Sequence, residues 1–372
     1  MMAEDTTRSH AAPSDFDQVR VVWRYEILKY LRSKRLIATL AIVGAILALI
    51  YLLPPVLGDG YSGTVEGEEL SLFPAEFSGI EPSELGDALY IAVIPRDTIE
   101  PGTIEVYLDD SLYSSEGGAV WVYKNLKVEG GTQNAVLFME PIDPNSTISV
   151  TYDWHVSAQS FDSNFIGFVS LLIVVCATFF AADSLVGEFQ NRTGYLIFPN
   201  ALKRETLLMG KFMASVTVGI VVVVLFYLVV AALSLVSARG VDDDFPLSLG
   251  FAILYLLAAT GIGYFISSIM KGSTGAIVLT FFLLFMILPI VDGVSMVSGT
   301  KIEASATFAA GTISYILIDP YPVDTVSGEE IPGMELHSFY PTPATAAIVL
   351  LAYALVCYVL SAIIFKRKQL VG

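Results

Sequence analysis

Along most of this chain the apolar residues do not recur at a fixed spacing; they run together. Six such runs stand out: Leu36 to Leu57, Phe165 to Leu185, Phe212 to Ala238, Phe245 to Met270, Gly275 to Val297 and Thr345 to Phe365. Each reaches the about 20 residues a helix needs to cross about 30 Å of hydrocarbon at 1.5 Å per residue. They predict six transmembrane helices. The first run begins at residue 36, is too long for a cleaved leader and is followed by no small-residue cleavage site, so it reads as a span.

Two other segments do show a period. In the stretch 14–35, Phe16, Val19, Trp23, Ile27 and Tyr30 or Leu31 recur at helical spacing, and Arg20, Arg24, Lys29, Arg32, Lys34 and Arg35 take the polar side. Ser14 and Asp17 resemble a capping box. The segment is therefore predicted to be a basic amphipathic helix at the cytoplasmic interface, with Trp23, Arg24, Lys29 and Arg32 as its membrane-surface contacts. In 58–164 the period becomes two: "ALYIAVIPRD", "TIEVYLDD", "AVWVYKNLKVEG", "NAVLFMEPI" and "TISVTYDWH" alternate apolar and polar residues between Gly, Pro, Asn and Asp breaks.

The expected fold class follows: a membrane protein with an all-α polytopic bundle of six spans and a β-rich, α+β domain between the first and second. In order, the chain divides into a polar, disordered tail (1–13), the interfacial helix (14–35), the first span (36–57), the β-rich domain (58–164) and five further spans (165–365). The last part holds a loop at 186–211 and another at 298–344, and a tail at 366–372 closes the chain. The loop 298–344 has apolar runs too short to span, which suits short interfacial or re-entrant helices.

Charge supplies the orientation. With the N-terminus inside, the segments 1–35, 186–211, 271–274 and 366–372 hold seven, four, one and three of the 20 basic residues. Basic loops stay cytoplasmic, so both termini are expected inside, in a multi-pass protein of the cell membrane. Of the 37 acidic residues, 29 fall on or beside the opposite face, which reads as a salt-adapted surface or, alternatively, a cation-attracting vestibule. Asn145-Ser146-Thr147 is a glycosylation acceptor on that outer side. Cys176 and Cys357 both lie in spans, so no disulfide framework is expected.

Catalytic chemistry is not visible. There is no GxxxxGK[ST] loop, no HExxH among the three histidines and no GxSxG elbow. The chain is expected to be no enzyme, to bind no cofactor or metal, and to have no nucleic-acid partner. Asp183 and Asp292 lie toward the ends of spans, near enough to the interfaces to be hydrated.

The loop after the second span is the richest feature. The stretch "GEFQNRTGYLIFPNALKRETLLMGKF" concentrates Arg192, Lys203, Arg204 and Lys211, and reads as helix to Thr193, a stop at Gly194 and a restart after Pro199. It is larger than a simple turn between spans requires. Together with the N-terminal interfacial helix and six spans, it resembles the permease subunits of type-2 ABC exporters, whose first cytoplasmic loop carries an acidic residue, a Gly-Thr pair, a Pro, an Arg and a Gly-Lys. Here the series is Glu188, Thr193-Gly194, Pro199, Arg204 and Gly210-Lys211, with the Thr and Gly in reverse order and Pro199 farther from Arg204 than usual. The large insert after the first span is similar to the sodium-exporter branch.

That resemblance implies a second permease chain, identical or sister, and a separate ATP-binding subunit that carries ATP and Mg. It also implies that Glu188, Arg192, Thr193, Gly194, Lys203 and Arg204 form a coupling helix in a groove of that subunit. A membrane-anchored ligand-binding or sensor protein is the alternative, and an intramembrane enzyme a third.

Overall fold

The computed structural model describes residues 14–57, 60–75, 87–96, 98–100, 102–113, 121–128, 131–143, 146–190, 203–331 and 334–367. Asn145 and Arg192, Thr193, Gly194 and Pro199 of the loop motif lie outside the described residues, so the acceptor site and most of the coupling helix are not among the structural findings.

Helix α1, Asp15–Leu31, starts where the capping box places it: Ser14 Oγ accepts the Asp17 amide at 3.2 Å. A short bend at residues 32–33 leads into α2, Lys34–Leu57. The remaining spans are Ala158–Phe180, Arg204–Ser237, Phe245–Ile269, Ser273–Ser298 and Pro343–Arg367. All six predicted runs are present as helices long and apolar enough to cross a membrane. The second span departs from expectation. It begins before residue 165, inside the stretch assigned to the β-rich domain, and is built from α3, Ala158–Ile166, and α4, Val169–Phe180. It also stops short of Leu185, for a reason given below.

The spans are not equivalent. Ala158–Phe180 and Phe245–Ile269 have 61% and 67% of their most apolar stretch buried, against 17% for Lys34–Leu57, Ser273–Ser298 and Pro343–Arg367. The first two are therefore the core of the bundle, and the last three present a face to lipid or to another chain. Hydrocarbon is as apolar as leucine, so close packing and hydrogen bonds hold such helices together, not transfer of apolar surface from water. Small residues make the approach possible: a Cβ on Gly261 would stand 3.2 Å from the Ala354 carbonyl oxygen of the last span.

Between the first and second spans, nine strands among the described residues form two antiparallel sheets. One has the order β1 (Ser62–Leu70), β9 (Ile148–His155), β5 (Glu105–Leu108), β6 (Ser111–Leu112), with β4 (Thr98–Ile99) also on β9; the other runs β2 (Leu72–Pro74), β3 (Tyr90–Ile94), β8 (Gly131–Phe138), β7 (Trp121–Val128). Ala92, Ile94, Val136 and Phe138 of the second sheet pack on Ile99, Val106, Val150 and Tyr152 of the first, a two-layer core produced by the period-two pattern. Strand β1 was not among the predicted strands.

An ion pair between Arg239 and Glu100 joins this domain to the connection between the third and fourth spans. Among the described residues, the segment 299–342 holds two short buried helices, Ala306–Ala310 and Thr312–Tyr315, and a hairpin of Thr325–Ile331 with Met334–Ser338 that the sequence reading does not include.

Candidate functional site

At the end of the bundle away from the β domain, the second span breaks. Helix α4 ends at Phe180, residues 181–185 form turns, and a short helix α5, Val186–Gln190, follows. A broken helix leaves backbone groups that must find partners where water is scarce. Here side chains from four elements supply them. Phe180 O accepts from Tyr30 Oη at 2.7 Å and from Ser215 Oγ at 2.8 Å; Phe179 O accepts from Arg35 Nη1 at 3.2 Å. The Leu185 and Val186 amides both donate to Ser267 Oγ at 3.1 Å. Burial raises the Tyr30 phenol above its ordinary pKa, so it stays protonated and donates.

Replacement of Tyr30 by phenylalanine removes one of the two donors to Phe180 O. It is expected to cost about 1 kcal/mol, read by thermal unfolding of the purified protein, because Ser215 still satisfies the carbonyl.

Next to the break lies a buried charge network. Lys211, on the third span Arg204–Ser237 (α6), has a side chain 1% exposed, and its Nζ stands 2.7 Å from Glu26 Oε1 and 2.7 Å from Glu188 Oε1. Lys29 Nζ approaches the same pair, 3.3 Å from Glu26 Oε2 and 3.8 Å from Glu188 Oε1, but half-exposed. Two ammoniums thus balance two carboxylates, which is how buried charges are tolerated. The network ties α1 through Glu26, the base of the loop through Glu188, and the third span through Lys211.

Gly210 makes the geometry possible. A Cβ there would fall 2.7 Å from Val22 Cβ and Cγ1, so α1 crosses the third span at a residue without a side chain. Beside it, Arg35 holds Asp183 through two bonds of 2.6 Å each. A cavity of about 640 Å³ lies beside α1 and the break, lined by Tyr25, Glu26, Lys29, Arg35, Asp183 and Glu188 among others.

The site residues expected from sequence fall into three groups. Glu188 is buried and turned into the protein. Lys203 and Arg204 are at the surface: Lys203 Nζ meets Asp15 at 2.7 Å, and Arg204 Nη1 donates to the Lys366 carbonyl at 3.1 Å. On α1, Arg24, Lys29 and Arg32 are exposed as expected, whereas Trp23 is partly buried and donates to Thr217 Oγ1 at 3.1 Å. The buried face of α1 is Val22, Glu26 and Tyr30; of the expected apolar stripe Tyr30 is buried and Val19, Trp23 and Ile27 are partly buried, while Phe16 is exposed. This widens the expected face by Val22 and Glu26: the helix also turns a carboxylate inward, where it pairs with Lys211. Glu26 was missed, although its spacing of four from both Val22 and Tyr30 marks one helix face. Among the described residues no group of three or more His, Cys, Asp or Glu is placed to hold a metal.

A polytopic bundle with a broken second span, an amphipathic N-terminal helix locked to it and a basic loop beyond defines a membrane transport component. The family model described as ABC-2 family transporter protein matches residues 20–370, and the chain belongs to that family. It is thus a multi-pass membrane component of an ABC transporter, of the kind that associates with an ATP-binding subunit. No curated protein matches the chain.

Proposed function

We propose that this chain is the permease subunit of an ABC exporter, that it pairs with a second permease chain, and that a separate ATP-binding subunit docks on the loop 186–211. ATP and Mg belong to that subunit. On this reading the end of the bundle bearing α1 is cytoplasmic, as the basic residues of α1 and of the loop require, and the β sandwich is outside. The likeness of its insert to the sodium-exporter branch is part of the same proposal.

The observation that carries it is the Glu26–Lys211–Glu188 network. It makes the base of the loop one piece with α1 and the third span, so displacement of the loop is delivered to the bundle and not absorbed at residue 188. Glu188 then acts as a positioning residue, while Arg192, Thr193, Gly194, Lys203 and Arg204 supply the contacts to the partner. Switching between two pore states follows only if the docked subunit binds them unequally.

In liposomes holding the permease with its ATP-binding subunit, Lys203→Glu with Arg192→Glu is expected to reduce transport-coupled ATPase stimulation by about fivefold or more. Insertion should be unchanged, since in sequence both residues fall between the apolar runs Phe165 to Leu185 and Phe212 to Ala238. Undiminished stimulation would sink the docking assignment.

A further inference from the structure

The fifth span contains an irregularity that the loop site does not explain. Between α8, Ser273–Phe282, and α9, Leu288–Ser298, lies one turn of π-helix, Leu283–Ile287, closed by the Leu288 amide on Leu283 O. One added residue rotates everything after it by about 100° around the helix axis. What the rotation positions is Asp292.

Asp292 lines a cavity of about 450 Å³ formed with α4, the fourth span Phe245–Ile269 and the short helix Ala306–Ala310; Val174, Tyr255, Phe285, Met296 and Thr307 also line it. Small-molecule sites run about 300–1,000 Å³. Thr307 Oγ1 donates to Asp292 Oδ2, whereas Oδ1 is buried and has no hydrogen-bond partner among the described residues. Lys301, the nearest basic residue in sequence, pairs with Asp324 at 2.8 Å and Glu303 at 3.7 Å instead. A carboxylate that lines a mostly apolar cavity near the end of a span, with no basic partner among the described residues, is costly and favours a cationic donor.

The geometry points to a binding site for a lipophilic ammonium: a protonated amine on an apolar body. Its N–H meets the Asp292 carboxylate from the cavity side, with Tyr255 and Phe285 on the cavity wall beside it and Leu171, Val174 and Met296 along the chain. A metal ion is a poor occupant, because it demands several oxygen ligands and the described residues gather no such group here. Phe285 and Met296 are 47% and 44% exposed on the face of a span that is mostly unburied, so the amine enters sideways from the hydrocarbon. Naming this amine a substrate rests on the permease reading; its binding does not.

The test uses the full chain in lipid nanodiscs and a diazirine-bearing long-chain alkylammonium, compared with the alcohol of the same chain, with cross-linked peptides mapped after photolysis. The ammonium is expected to label residues 283–298 and 169–180 in saturable fashion. Asp292→Asn, which keeps the size and the Thr307 contact, should lower that labelling about tenfold and leave the alcohol's unchanged. Met296→Trp, which fills the cavity and spares the carboxylate, should also abolish it. Equal labelling by amine and alcohol, or full labelling of Asp292→Asn, would overturn the assignment. The assay contains no ATP-binding subunit. Uncoupled ATPase with intact Asp292-dependent labelling would therefore refute the permease reading alone, and the converse would refute this site alone.

Discussion

Lys211→Met is expected to destabilise the protein by about 3–5 kcal/mol, the usual cost of removing one partner from a buried ion network. The reason lies in what remains. Glu26 and Glu188 each stand 2.7 Å from the vanished ammonium and both are under 10% exposed, so two buried carboxylates are left to share the half-exposed Lys29, 3.3 Å from Glu26 and 3.8 Å from Glu188. The triple variant with Glu26→Gln and Glu188→Gln removes the excess buried negative charge and should recover most of the loss, since buried ion networks exchanged whole for neutral groups are often near neutral in stability. Thermal unfolding of the three proteins in one detergent distinguishes the cases. A harmless Lys211→Met would mean that the charges are hydrated, and the welded loop base would go with it.

Function separates from stability in the same series. If the network transmits loop movement, the triple variant should be stable yet poorly coupled to its ATP-binding subunit, because amides exchange hydrogen-bond partners where an ion network holds one arrangement. A stable and fully coupled triple variant would show that the network only anchors.

The spans were legible because nothing but a helix satisfies its own backbone over more than 20 apolar residues. Their ends were not, and the second span shows why. Hydropathy continues through Ala181, Ala182 and Leu185, yet the helix stops at Phe180, because Tyr30, Arg35, Ser215 and Ser267 from four other segments offer the backbone alternative partners. No local window contains that information. Strand β1 failed for another reason: "SGTVEGEEL" does not alternate, and its register slips between Val65 and Glu68 where Gly67 has φ +65°. In the hairpin, the strand 325–331 has only Val326 and Ile331 as apolar residues and does not alternate, and the alternation in 334–338 is too short to mark a strand by itself.

Within the site, Glu188 and Gly210-Lys211 were visible as motif residues. Glu26 was not, since a glutamate in a basic amphipathic helix counts as polar face by any periodicity, and only the ion it meets turns it inward. Asp183 was assigned to hydration near the interface, but Arg35, placed on the polar side of the N-terminal segment, holds it directly.

Gly210→Ala sets two effects of opposite sign against each other. Alanine is the better helix former by about 1 kcal/mol, so at an uncrowded position the change would stabilise the third span. At this position the new methyl would sit 2.7 Å from Val22 Cβ and Cγ1 and 3.1 Å from the Val19 carbonyl oxygen, distances that require α1 to move. Overpacking of this kind costs about 1–3 kcal/mol, and lifting α1 also stretches the Glu26–Lys211 contact, so net destabilisation is expected. Second-site changes sharpen the expectation. Val22→Ala removes Cγ1 but leaves Cβ in the way, and should rescue little; Val22→Gly removes both close atoms and should rescue more, despite glycine's own helix penalty. If Gly210→Ala raised the unfolding temperature, or if Val22→Ala rescued it as well as Val22→Gly, the close crossing of α1 over the third span would be wrong, and with it the route by which the loop grips the bundle.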